Sequence, residues 1–163
     1  MVCVMAEKRK LLVLGIGNTL LSDEGAGVHA LRRLQAVAVE GSGVDYLDGG
    51  TLSFTLAGPI EDSDAVVVID AADFGAEAGD VQVFEGEAMD DFLGSGRNKS
   101  VHEVSLHDLM AVAALAGRLP ERRALVGIQP LELGWGDAPS PAVADGIGRA
   151  CARALEIIER WRA

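Results

Sequence analysis

Three side chains far apart in this chain have the chemistry to hold a divalent cation: Glu24, Asp70 and His102. Glu24 belongs to the string Gly15-Ile16-Gly17-Asn18-Thr19-Leu20-Leu21-Ser22-Asp23-Glu24-Gly25. That string follows an apolar run, Leu11 to Leu14, and opens a helical pattern, which is the setting of a phosphate-binding turn. Asp23 and Glu24, however, stand where a phosphate would have to lie. A helix N-terminus attracts anions. Here the chain supplies its own, so the turn reads as built for a cation. Asp70 ends the run Val66-Val67-Val68-Ile69-Asp70. In an open α/β sheet, ligands bind at the carboxyl ends of the strands, so the two carboxylates converge if their strands are neighbours. Repulsion and desolvation make such a pair costly unless a cation joins it. His102 lies in a loop just before Ser105, the expected cap of a helix. Two carboxylates and one imidazole suit Ni, Zn or Cd, with positions left open for another ligand. Such a site fits a metal carried in on a partner.

Each residue alone also has a plainer reading. Acids in a helix's first turn answer the helix dipole, an Asp at a strand end is often a turn or cap residue, and a loop histidine is often a surface group. Only their convergence favours a site. The stretch His102-Glu103-Val104-Ser105-Leu106-His107 looks like a zincin helix but has its histidines five apart, about 140° round a helix. His107 is therefore read as a helix-surface residue, and Glu103 gains no role as a base. His29, within the first helical pattern, is read as structural. No serine sits in a G-x-S-x-G elbow, and neither Cys3 nor Cys151 occupies a nucleophile's setting. A dinucleotide site competes: Gly15-x-Gly17 follows a strand and Asp48 ends the next at a distance suited to a ribose. Against it, Leu20 holds the third glycine position and Asp23 and Glu24 would repel a pyrophosphate.

These side chains need a scaffold. Leu11–Ile16, Ala65–Ile69 and Ala124–Ile128 are apolar without alternation, as strands buried on both faces are. Val44–Leu47 is a shorter candidate, and Asp80–Phe84 alternates as an edge strand would. A helix is expected from about Asp23 to Val39, with Ser22 as its cap and Gly27, Leu31, Leu34 and Ala38 on one stripe. A short one is expected over Ser53–Ile60. Another follows Ser105, with Leu106, Leu109, Met110 and Ala113 at helical spacing, and stops near Gly117. The last opens with Ser140 as cap and Pro141 in its first turn. It then places Val143, Ile147, Ala150, Ala154, Ile157 and Trp161 on one face. Ala72–Lys99, rich in Gly, Asp and Glu, reads as a loop or small insertion. Strands alternating with helices imply a three-layer α/β fold, a parallel sheet covered on both faces.

The 163 residues fit one domain spanning 1–163, large enough to bury about 70% of its unfolded surface. A net charge of −11 argues against nucleic acid as a partner. No run approaches the ~20 apolar residues of a membrane span. The order of the first ten residues is not that of a signal peptide, so a cytoplasmic protein is expected, with Cys3 and Cys151 reduced.

Taken together, the residues resemble the [NiFe]-hydrogenase maturation proteases. The likeness runs through Leu14-Gly15-Ile16-Gly17-Asn18, Leu21-Ser22-Asp23-Glu24-Gly25-Ala26-Gly27-Val28, Leu47-Asp48-Gly49-Gly50-Thr51 and Ile69-Asp70-Ala71. It continues through Ser100 to Leu109, Val126-Gly127-Ile128-Gln129-Pro130 and Leu133, and closes with Ser140-Pro141-Ala142-Val143. The resemblance implies a twisted, mostly parallel five-stranded sheet between helices. It also implies an endopeptidase that removes a C-terminal extension from a hydrogenase large-subunit precursor already loaded with its nickel-iron centre. By the same resemblance Glu24, Asp70 and His102 contact that nickel, for which Zn or Cd can substitute, and the protease is a monomer that need not hold a metal of its own. Asp23 is then a candidate general base, with capping or dipole duty as the preferred reading. Val81 to Lys99 and Glu132–Asp137 match no motif of the family and are candidates for setting partner choice.

Overall fold

The computed structural model describes residues 10–96 and 104–163. Its strands are β1 (Leu11–Ile16), β2 (Val44–Gly50), β3 (Ala65–Ala71), β4 (Val81–Glu85) and β5 (Arg122–Ile128). They form one sheet in the order β2-β1-β3-β5-β4. β1 pairs in parallel with β2 and β3, and β3 with β5, while β4 runs antiparallel to β5 at the edge. The unbroken apolar runs of β1, β3 and β5 lie in the middle, where both faces are covered and neither face needs polar residues. β2 and β4 hold the edges and keep exposed positions such as Asp45 and Gln82.

The helices are α1 (Ala26–Ala36), α2 (Ala57–Glu61), α3 (Glu87–Gly94), α4 (Leu106–Leu115) and α5 (Pro141–Arg162). α1 and α5 cover one face, where Leu31, Leu34, Ile147 and Ile157 pack on Val13, Val67 and Val126. α2, α3 and α4 cover the other, where Ile60, Met89 and Leu109 pack on Leu14, Val68 and Leu125. Alternation along each strand sends its side chains to the two cores in turn.

The ends of elements depart from the sequence reading in three places. The first helix begins as a 3-10 turn, Ser22–Gly25, and Ser22 does not cap it. Helical geometry stops at Ala36, because Val37 and Val39 reach no core and stand exposed. Ser140 does hold the N-cap position of α5, but its side chain makes no capping bond. Within the stretch read as a loop or small insertion, β4 follows the edge strand expected over Asp80–Phe84, and the two-turn α3 is not expected from the sequence. A helix that short is marginal alone. Met89, Phe92 and Leu93 bury against the sheet, and the Arg123 guanidinium grips Asp90 with two bonds of 2.9 and 2.6 Å.

Ser105 does cap α4, in a reciprocal box with Asp108. Just past the end of α4, Arg118 and Leu119 line an open groove with Lys10 and Asp64, at the amino ends of the strands. The ten-residue helix, about 15 Å long, therefore starts at the opposite, carboxyl edge of the sheet.

Candidate active site

The carboxyl ends of β1 and β3 are held against each other and against the first helix by two glycines. A Cβ on Gly27 would lie 2.1 Å from the Ile69 carbonyl oxygen and 2.4 Å from that of Ile16. The start of α1 thus wedges between the two strand ends. Gly17, at φ +142°, would put a Cβ 2.0 Å from the Glu24 carbonyl oxygen. No side chain larger than hydrogen fits either place. Gly17, one of the two glycines that suggested a dinucleotide turn, serves to draw the 3-10 turn down onto the sheet. Its close approach is to the chain's own backbone, which removes the support for a dinucleotide site.

This packing brings Glu24 to the end of β3. Asp70 is the penultimate residue of that strand, opposite Gly127 of β5. It follows Val66 and Val68 in alternation, towards the α2–α4 side. Burial pushes its carboxyl well above the usual carboxylate range, the Ala71 N–H draws it partly back, and the negative charge of Glu24 raises it again. The two acids therefore share one electrostatic site. His102 lies outside the described residues. Val104, two positions on, is buried in the same core as Val68. Among the described residues no cluster of three metal-ligating side chains occurs.

Asp23 has a structural role and not that of a base. It is fully enclosed, and its carboxylate accepts the N–H groups of Leu131 (2.9 Å), Glu132 (2.8 Å) and Ser140 (2.6 Å) and the Ser140 hydroxyl (2.9 Å). Burial alone would raise its pKa, but these four donors outweigh it and hold the carboxyl below its ordinary value. With its lone pairs occupied, Asp23 is no base. It clasps the loop from β5 to α5 against the turn that carries Glu24. Ser22 completes the clasp: its N–H donates to the Gly136 carbonyl (2.9 Å) and its hydroxyl to that of Gly134 (2.8 Å). Ser22 holds a left-handed φ of 50° to do so.

Gln129 is a second organiser that sequence reasoning did not single out. Its buried amide oxygen accepts the N–H groups of Phe74 and Ala76, and its amide nitrogen donates to Asp73. The loop that leaves Asp70 is thereby fixed. The available signal was a polar residue directly ending the apolar run Ala124–Ile128. Asp48 lies within β2 and accepts the Gly50 N–H at the bulge that ends that strand. His107 is exposed on α4, as expected. His29 is half-buried in α1 with its Nε2 unbonded, and burial, helped by Arg32 and Arg33, depresses its pKa. Cys151 is a free, half-buried thiol whose S–H donates to the Ala30 carbonyl. Cys3 lies outside the described residues.

The family profile described as hydrogenase maturation protease matches residues 28–160. This chain belongs to the hydrogenase maturation protease family. It is 37% identical over 158 residues to the hydrogenase expression/formation protein HupD of Thiocapsa roseopersicina, covering 96% of this chain and 71% of that protein. It is 32% identical over 126 residues to the hydrogenase 2 maturation protease of Escherichia coli, covering 76% of this chain and 75% of that one. Among solved structures, it resembles the hydrogenase maturating endopeptidase HybD of E. coli with a TM-score of 0.85. The identity there is 29%, over 93% of each chain. The maturation protease HybD of Thermococcus kodakarensis gives a TM-score of 0.75 at 30% identity, over 91% of this chain and 98% of that one. Membership makes the protein a hydrolase and accounts for the mostly parallel five-stranded sheet. No helix among the described residues is long and apolar enough to cross a membrane.

Proposed function

We propose that this protease removes the C-terminal extension of a nickel-loaded [NiFe]-hydrogenase large-subunit precursor and recognises the client's nickel through Glu24, Asp70 and His102. The observation that carries the reading is the acid pair at the carboxyl edge. Asp70 is partly buried and desolvated at the end of β3, and Glu24 adds a second negative charge to its surroundings. A divalent cation relieves both costs at once. Val104, two positions after His102 in sequence, is buried in the same core as Val68, which supports assigning His102 to this site.

The raised pKa of Asp70 has a consequence for the empty enzyme. A carboxyl shifted upward holds a proton more readily than an ordinary aspartate, which blunts the repulsion from Glu24, and a metal ion arriving with the client competes with that proton. The site is then complete only on a loaded precursor, which guards against cutting other chains. Client nickel, held by these side chains, polarises the scissile carbonyl or lowers the pKa of a bound water. A carboxylate freed of its proton accepts the water's proton. Asp23 takes no part in proton transfer.

The test uses precursor with and without nickel and the mass of the product. Only loaded precursor should be shortened, with zinc or cadmium as possible substitutes for nickel. Glu24→Gln, Asp70→Asn and His102→Ala should each abolish trimming, whereas His107→Ala should trim normally. A protein that binds loaded precursor and never shortens it would instead be a nickel-recognising accessory.

A further inference from the structure

Of the nine large apolar side chains that stand exposed among the described residues, four belong to one small unit: Leu20 (58%), Leu131 (64%), Leu133 (57%) and Trp135 (84%). Single exposed apolar residues need no explanation, but a cluster does. This cluster is also immobilised. The Asp23 carboxylate holds the backbone at Leu131 and Glu132, Ser22 holds Gly134 and Gly136, and the Gly136 N–H donates to the Leu20 carbonyl at 2.9 Å. Leu21 and Gly136 form a parallel β-bridge. A loop pinned so firmly could have been kept polar at no cost to its hydrogen bonds, since all of those made to it are with its backbone. Its apolar side chains point instead to an occupant, and rigid aromatic and aliphatic anchors lose little entropy when one binds.

Charge narrows the occupant. From Gln129 to Ser140 the chain has no lysine or arginine, while Glu132 and Asp137 stand exposed beside the apolar residues. The same clasp joins this loop to the turn bearing Glu24, so the surface is continuous with the site. We infer that Leu131, Leu133 and Trp135 form the surface on which the client precursor docks, through a segment of apolar side chains flanked by basic ones. This rests on the reading of the client as a hydrogenase large-subunit precursor. The loop adds binding energy that the metal contacts do not supply, and Trp135 at its tip matches none of the family's motifs, so it can tell one client from another.

Trp161→Phe leaves Trp135 as the sole indole. In that variant, nickel-loaded precursor should shift Trp135 emission to the blue and shield it from acrylamide. Adding Glu24→Gln should stop trimming and leave the shift intact. The triple variant Leu131→Ser/Leu133→Ser/Trp135→Ser should raise KM roughly tenfold or more and leave kcat within about twofold. Replacing Glu132 and Asp137 with Gln and Asn should raise KM less and weaken its dependence on salt. Unchanged KM in the triple variant, or trimming without any Trp135 shift, overturns the docking surface and leaves the protease reading intact. A Trp135 shift driven by the protein's own concentration assigns the face to a second copy and also overturns it. If the shift occurs and no trimming follows with wild type, docking stands and the protease reading falls.

Discussion

Asp23 is fully enclosed and Asp70 partly so at the carboxyl edge of the sheet, and their carboxyl pKa values are pushed in opposite directions. Asp23 sits where the loop before α5 folds back, and four donors converge on it. Asp70 sits at the end of β3 and faces another acid. Burial raises a carboxyl's pKa in both cases, and what surrounds the oxygens decides the outcome. A carboxylate saturated with hydrogen bonds stabilises the fold and is chemically silent. One that keeps a single backbone donor, the Ala71 N–H, and is crowded by a like charge weakens the fold.

The contrast can be broken most severely at Asp23. Asp23→Ala would leave three partly buried N–H groups without their acceptor and should cost about 4 kcal/mol, read as a lower urea midpoint. Asp23→Asn keeps the shape and should cost roughly half as much. If either is neutral, the clasp is not what holds the loop. Gly27→Ala comes next. Its methyl collides with the Ile69 and Ile16 carbonyls, which should cost about 3 kcal/mol and lift Glu24 away from Asp70. Partial loss of trimming in a folded Gly27→Ala protein would sharpen the dependence of activity on that proximity.

Asp70→Asn should act in the other direction, raising the Tm by about 3 °C, or roughly 1 kcal/mol, near neutral pH while trimming is lost. A destabilised Asp70→Asn would instead give Asp70 a structural role. The two acids should also bend the pH profile oppositely. With a folded pKa below the ordinary 3.8, Asp23 contributes fully above that value, and its contribution drains away as pH falls through the folded pKa. With a folded pKa above 3.8, Asp70 contributes at and below that value, and its contribution is lost as pH climbs towards the folded pKa. Unfolding of wild type, Asp23→Asn and Asp70→Asn across acidic to neutral pH should show the two slopes removed separately. The smallest effect belongs to Arg32→Ala, which breaks a 3.9 Å pair with Asp48 between half-exposed groups. Less than about 0.5 kcal/mol is expected, and a larger loss would mean that the turn after β2 bears on the site.

Much of this molecule is legible in one dimension, for local reasons. Runs such as Val66 to Ile69 are too apolar to be anything but strands buried on both faces, and their order between helical patterns dictates layers. Ser105 and Asp108 cap α4 through atoms three residues apart, so that cap is readable where it stands. The acids Glu24 and Asp70 are marked by their places at the ends of apolar runs, and the motifs around them suffice to identify the family. Tertiary structure decided what depends on distant partners. Asp23 and Glu24 are neighbours of nearly the same chemistry, and only the arrival of Leu131, Glu132 and Ser140 makes one of them a clasp. α3 is too short to declare itself without the Arg123 fork and the sheet beneath it. The antiparallel pairing of β4 and the wedge of Gly27 between two strand ends follow from contacts that no local pattern encodes. Short-range periodicity fixes which faces must be buried, and long-range packing alone determines which polar groups meet.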